Sequence, residues 1–150
     1  MAPASRLAFA SAALTGAIAA ALLWLGPPGS DTAAHVYQLH LFRSAGLVTW
    51  DNYWYSGRHT FVTYSLLYYP LASVFGIKLL AVLSLAAGAA AFALLADWTP
   101  AALAFAAVWG VYALSGAYPF MLGAAFALLA MLARRWWIFA PLAILTWASS

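Results

Sequence analysis

Residues 7–25, LAFASAALTGAIAAALLWL, hold no charged side chain and nothing more polar than serine or threonine. At about 1.5 Å per residue such a run makes a helix roughly 28 Å long, close to the hydrocarbon thickness of a bilayer. Backbone polar groups in hydrocarbon have to be satisfied inside the segment or around a closed barrel. A barrel strand would alternate apolar and polar residues. This run does not alternate, and it is rich in alanine and leucine, which favour helix. Arg6 precedes it and Gly26-Pro27-Pro28-Gly29 ends it. A cleaved signal peptide has a similar outline. The run is longer than a usual signal core, however, and lacks a small-x-small cleavage site before the prolines, so a retained span is the better reading.

Similar runs recur over 76–96, 100–114, 119–133 and 136–149. Only 6% of residues are charged, 67% are hydrophobic and mean hydropathy is +0.93. Soluble domains carry roughly 25% charged residues. The composition therefore predicts an all-α, polytopic transmembrane protein, a single membrane domain over residues 1–150. A net charge of +3 from six basic residues, with no basic stripe interleaved with aromatics, excludes a nucleic-acid partner and leaves membrane lipid as the general one. The chain has no cysteine, which removes disulfides, thiol catalysis and thiolate metal sites.

The segment 26–64 is polar by contrast. It contains His35, His40 and His59, the acidic residues Asp31 and Asp51, and Arg43 and Arg58. Ser30 or Asp31 is a suitable N-cap and Gly46 a suitable C-terminal stop for a helix between them. Asp31, His35, Gln38 and Phe42 share one face of that helix; Ala34, Tyr37, Leu41 and Ala45 share an apolar flank. This suits a helix lying on the membrane surface. The following stretch, with Trp50, Tyr53, Trp54 and Tyr55, has the aromatic density of a water–lipid boundary.

Whether 61–75 crosses the bilayer decides the orientation of everything after it. With Arg6 inside, a non-crossing 61–75 puts Arg134 and Arg135 inside as well; a crossing one puts them outside. The positive-inside rule favours the first. Residues 61–75 are therefore predicted as a re-entrant or surface helix broken near Pro70. The N-terminus is then cytoplasmic and the 26–64 segment extracytoplasmic in the cell membrane.

Among ionisable residues Asp31 has the strongest case for chemistry. A carboxylate beside lipid head groups can act as general base on an acceptor hydroxyl or as ligand to a divalent cation. Its ordinary alternative is a helix cap. His35, one turn later, can contact an acceptor or phosphate. A histidine metal site is not indicated: His35 and His40 are five apart and diverge on a helix, and no HExxH occurs. Arg58 can pair with a lipid phosphate.

The order Gly29-Ser30-Asp31-x-x-x-His35-x-Tyr37, Gly46, Trp50, Tyr55-Ser56-Gly57, Tyr68-Tyr69-Pro70-Leu71 and Phe75-Gly76 resembles the N-terminal part of GT-C-type membrane glycosyltransferases. It is similar to the bacterial integral membrane proteins labelled 6-pyruvoyl-tetrahydropterin-synthase-related. The resemblance covers about residues 7–96. It implies transfer of a sugar from a polyprenyl-phosphate carrier to a glycan, lipid or protein acceptor at the extracytoplasmic face of the cell envelope. Asp31 would be the catalytic or metal-linked carboxylate, and His35, Arg58, His59, Trp54 and Tyr69 the substrate contacts. A divalent cation on Asp31 is the only cofactor it suggests. Many members have an acidic pair here, where this chain has Asp31-Thr32. Members also have more spans, so the chain is expected to be the front of a longer protein and inactive alone. The alternatives are a non-catalytic lipid-binding or assembly protein and, third, a transporter component. Transporters place ionisable residues at mid-membrane, and these runs have almost none.

Overall fold

The computed structural model describes residues 3–48, 50–51, 65–96 and 98–149. Among these the regular structure is helical throughout: α1 (Pro3–Leu25), α2 (Thr32–Ala45), α3 (Tyr68–Phe75), α4 (Ile77–Leu95), α5 (Thr99–Val111), a 3-10 turn (Tyr112–Ser115), α6 (Tyr118–Leu132) and α7 (Trp136–Ser149). Two of them, α1 and α4, are long and apolar enough to cross a membrane; the last three are shorter apolar helices.

Glycine and proline set most of the boundaries. Gly46, Gly76 and Gly116 have φ of 73°, 79° and 74°, values that side chains with a Cβ rarely adopt. Gly46 ends α2, Gly76 separates α3 from α4, and Gly116 follows the 3-10 turn. Pro100 and Pro119 lie in the first two positions of α5 and α6, where no helical N–H partner is lost. Trp98 occupies the N-cap of α5; Asp97, read from sequence as a cap, lies outside the described residues.

Pro70 departs from expectation. Within the described residues 65–75 it breaks no helix. It sits in the first turn of α3, which starts at Tyr68, and its missing N–H is one of the donors that have no helical partner there anyway. Residues 61–64 lie outside the described residues. At 8 residues α3 is roughly 12 Å long, far short of a bilayer.

α4 is the central helix, packed on α1, α5 and α6. Many of its buried residues are small (Ala81, Ser84, Gly88, Ala89, Ala91 and Ala93), α1 likewise buries Ala8, Ser11, Thr15 and Ala19, and Gly88 lies against Trp109 of α5 and Ala125 of α6. Small side chains let helix backbones approach closely. Ala8 packs with Ala93 and Ala102, while the Lys78 ammonium lies 5.6 Å from the Trp24 ring centroid. So α1 and α4 are antiparallel. Thr15 donates to the Ala106 carbonyl at 2.8 Å, tying α1 to α5 at mid-length. Ser84, Thr146 and Ser149 donate to carbonyls four residues back, so their hydroxyls are satisfied inside their own helices.

The bundle consequently has two ends. The end of α1, α2, α3, the start of α4, the 112–118 turn and the C-terminus of α7 lie together at one of them; Leu67 N–H and Ser65 Oγ both donate to the Ala148 carbonyl. Arg6 and the 133–135 connection lie at the other. The helix bodies between carry no charge, and large apolar side chains such as Phe9, Val108, Met131, Ile144 and Trp147 project from them exposed.

Candidate functional site

Asp31 stands at the entry to α2, and the chain on either side of it is fastened to the α5–α6 turn. Gly29 is packed so closely that a Cβ on it would stand 2.8 Å from the Gly116 nitrogen; one on Gly116 would stand 2.8 Å from the Asp31 nitrogen. Ser30 Oγ donates to the Ser115 carbonyl at 2.5 Å, and the Thr32 and Tyr118 hydroxyls share a hydrogen bond of 2.8 Å. The backbone of the turn closes on itself through Thr32 N–H to the Gly29 carbonyl at 3.1 Å. Two glycines make this approach possible, because the contact is backbone on backbone.

The Asp31 side chain is exposed and makes no capping hydrogen bond, although the residue occupies the N-cap position. The capping reading therefore fails for the side chain: the first turn is closed by backbone bonds, and the carboxylate is not used to close it.

His35 and Tyr69, both predicted substrate contacts, are brought together, but not as free groups. His35 is 3% exposed and Tyr69 4%. Their Nδ1 and hydroxyl atoms are 2.9 Å apart. The His35 ring also lies 5.4 Å from Tyr118 and 6.3 Å from Tyr68, centroid to centroid, and bonds to the Gly116 backbone. Tyr68 donates to the Ile77 carbonyl at 3.2 Å. This His–Tyr cluster is thus a joint between α2, α3 and α6 directly beneath Asp31. The helical spacing correctly puts Asp31, His35 and Gln38 on one face, but beyond Asp31 that face turns into the protein. Exposed Val36 and His40 lie on the outer side. Gln38 is buried with its Nε2 unpartnered. Asp51 is buried too and accepts a hydrogen bond from the Tyr37 hydroxyl. Arg58, His59 and Trp54 lie outside the described residues. Among the described residues no group of three or more His, Asp or Glu converges as a metal site.

Burial holds the His35 pKa below its usual 6.5, with the Asp31 charge and the Gly116 backbone bond acting in the opposite direction. The unfolded chain therefore binds more protons between the folded pKa and 6.5, and stability falls as pH drops through that window. Unfolding in detergent followed from pH 8 downward should show this loss, and His35→Asn should flatten the slope. An unchanged slope would remove His35 as its source.

Sequence reasoning missed Gly116 and Tyr118 as parts of this site. Gly116 marked only the end of an apolar run, and nothing local connects it to Asp31. A second feature lies along the bundle wall, where Phe105, Trp109, Phe120, Gly123, Ala127 and Thr146 border an open apolar groove of about 510 Å³. Phe92, Phe105, Trp109 and Tyr112 stack successively beside it.

No protein-family model, curated protein or solved structure matches the chain.

Proposed function

We propose that the chain is an integral membrane protein, and that the Asp31 end is the catalytic face of a polyprenyl-phosphate-dependent glycosyltransferase. The membrane part is supported by the exposed apolar side chains along uncharged helix bodies, which water would not tolerate over so large a surface. Arg6, Arg134 and Arg135 share one end, Arg43 and Lys78 the other. The arginine pair in a short connection argues for cytoplasm at the Arg6 end. Asp31 then faces outward.

The catalytic part rests on one observation: an exposed carboxylate, not used as a cap, on a turn whose neighbours are both hydrogen-bonded to a second turn. A base held this way meets an acceptor at a fixed position. In the transfer, the acceptor oxygen attacks the anomeric carbon and passes its proton to Asp31. The sugar–phosphate C–O bond breaks, and polyprenyl phosphate leaves with the electron pair. Arg58, His59 and Trp54, from the connection leading to α3, would contact phosphate and sugar. His35 and Tyr69 position the turn from below and do not touch substrate.

A second reading is a non-catalytic lipid-binding or assembly protein, favoured by the aromatic-walled groove. Incubation of membranes carrying the chain with a polyprenyl-phosphate-linked sugar separates the two: release of polyprenyl phosphate dependent on acceptor supports transfer, and lipid retention without release supports binding. Topology is tested on the cysteine-free background. In intact cells an impermeant maleimide should label Ser44→Cys and reach Arg134→Cys only after permeabilisation. The reverse pattern would put Asp31 on the wrong side for this chemistry.

A further inference from the structure

We propose that the cleft between α6 and α7 at the Arg134–Arg135 end binds an anionic glycerophospholipid, its phosphate on the two guanidinium groups and an acyl chain between the helices. The cleft holds about 410 Å³ and is walled by Leu129, Leu132, Ala133, Ile138 and Leu142, with Arg134 and Arg135 at its mouth. Both arginines are exposed, and among the described residues neither makes an ion pair. Arg135 lies 5.1 Å from the centroid of the Trp137 ring, a cation–π contact that holds its guanidinium beside the opening. Trp136 and Trp137 are 75% and 54% exposed, as befits indoles at head-group depth.

The charges favour an anionic occupant. The chain has three acidic residues, and Asp31 and Asp51 lie at the opposite end of the bundle. Asp97, in the α4–α5 connection, lies outside the described residues. A neutral zwitterionic lipid would bring its own cation to a mouth that already has two. An anionic one pairs each phosphate oxygen with a guanidinium donor while its chain covers apolar walls. This inference rests on the membrane reading and is independent of the glycosyltransferase one.

The test uses the full chain in nanodiscs of phosphatidylcholine with a minor fraction of phosphatidylglycerol. Bound lipid is counted by native mass spectrometry, and tryptophan quenching is followed with brominated phosphatidylglycerol. The chain should retain phosphatidylglycerol over phosphatidylcholine. Arg134→Gln with Arg135→Gln should weaken that retention roughly thirtyfold, about fivefold per surface arginine. Ala133→Trp keeps both charges but fills the cleft, and it should also lose retention. A membrane-integrated chain without phosphatidylglycerol preference, or a double variant that keeps it, overturns the proposal and leaves the membrane reading standing. Retention by Ala133→Trp equal to the parent's overturns the placement of the acyl chain. A chain that alkaline carbonate strips from membranes overturns the membrane reading itself.

Discussion

Asp31→Asn should abolish sugar transfer while leaving folding intact. The substitution keeps the size and shape of the side chain and removes its capacity to take a proton. Loss of a positioned general base costs typically 10²- to 10⁴-fold in rate. Stability should not follow, because the carboxylate makes no capping bond and is exposed. An N-cap aspartate that does cap would lose about 1 kcal/mol on removal of its side chain. The pair of measurements is turnover of a lipid-linked sugar in membranes and thermal unfolding in detergent. Loss of turnover with an unchanged midpoint supports the catalytic reading. Full turnover sinks it. Asn caps as well as Asp, so capping is read from Asp31→Ala: a lowered midpoint in that variant with retained turnover would return Asp31 to the role of a cap and favour the lipid-binding alternative.

Gly116→Ala should be among the most destabilising single substitutions. Two costs add. The residue has φ of 74°, where a Cβ costs roughly 1–2 kcal/mol. That Cβ would also stand 2.8 Å from the Asp31 nitrogen, 3.1 Å from the Thr32 nitrogen and 3.3 Å from the Asp31 Cα. All three are backbone atoms and cannot rotate aside. The 29–32 turn must shift, and the Ser30–Ser115 and Thr32–Tyr118 bonds with it, for a total of about 3 kcal/mol or more. Gly29→Ala separates the causes. It meets the same opposing turn, at 2.8 Å from the Gly116 nitrogen, 2.9 Å from the Gly116 Cα and 3.0 Å from the Leu114 oxygen, without a positive φ, so its loss reports the clash alone. In detergent unfolding both variants should be less stable than the parent. In transfer assays both variants should lose activity more than global stability alone explains, because the displaced group is Asp31. A Gly116→Ala protein with parental stability would mean that the two turns do not meet.

The joint beneath Asp31 also explains how a small platform at this end of the bundle can be held without a disulfide. His35, Tyr68, Tyr69 and Tyr118 come from three helices and lie within 6.3 Å of His35, ring centroid to ring centroid. Each side chain is largely buried, and the hydroxyls of Tyr68, Tyr69 and Tyr118 have hydrogen-bond partners. Buried polar groups of this kind fix geometry because any rearrangement leaves one of them unpaired. His35 thus acts on Asp31 through position.

The sequence by itself determined the helical class and most helix limits. Long apolar runs admit no other way to satisfy the backbone, and Gly46, Gly76, Gly116, Pro100 and Pro119 act through their own covalent geometry, which needs no distant partner. It also determined that Asp31, His35 and Gln38 share a face, since that follows from helical spacing alone. Only the tertiary structure decided which way the face points and what it meets. A periodic pattern does not name the surface a face will touch. Tyr69 lies 34 positions from His35, Tyr118 lies 86 from Thr32 and Ser115 lies 85 from Ser30. The first arises when α3 packs on α2, and the other two when α5 and α6 bring their connecting turn up beside the start of α2. The same packing turned His35 from an expected substrate contact into a buried support, and it left the Asp31 carboxylate exposed beside it.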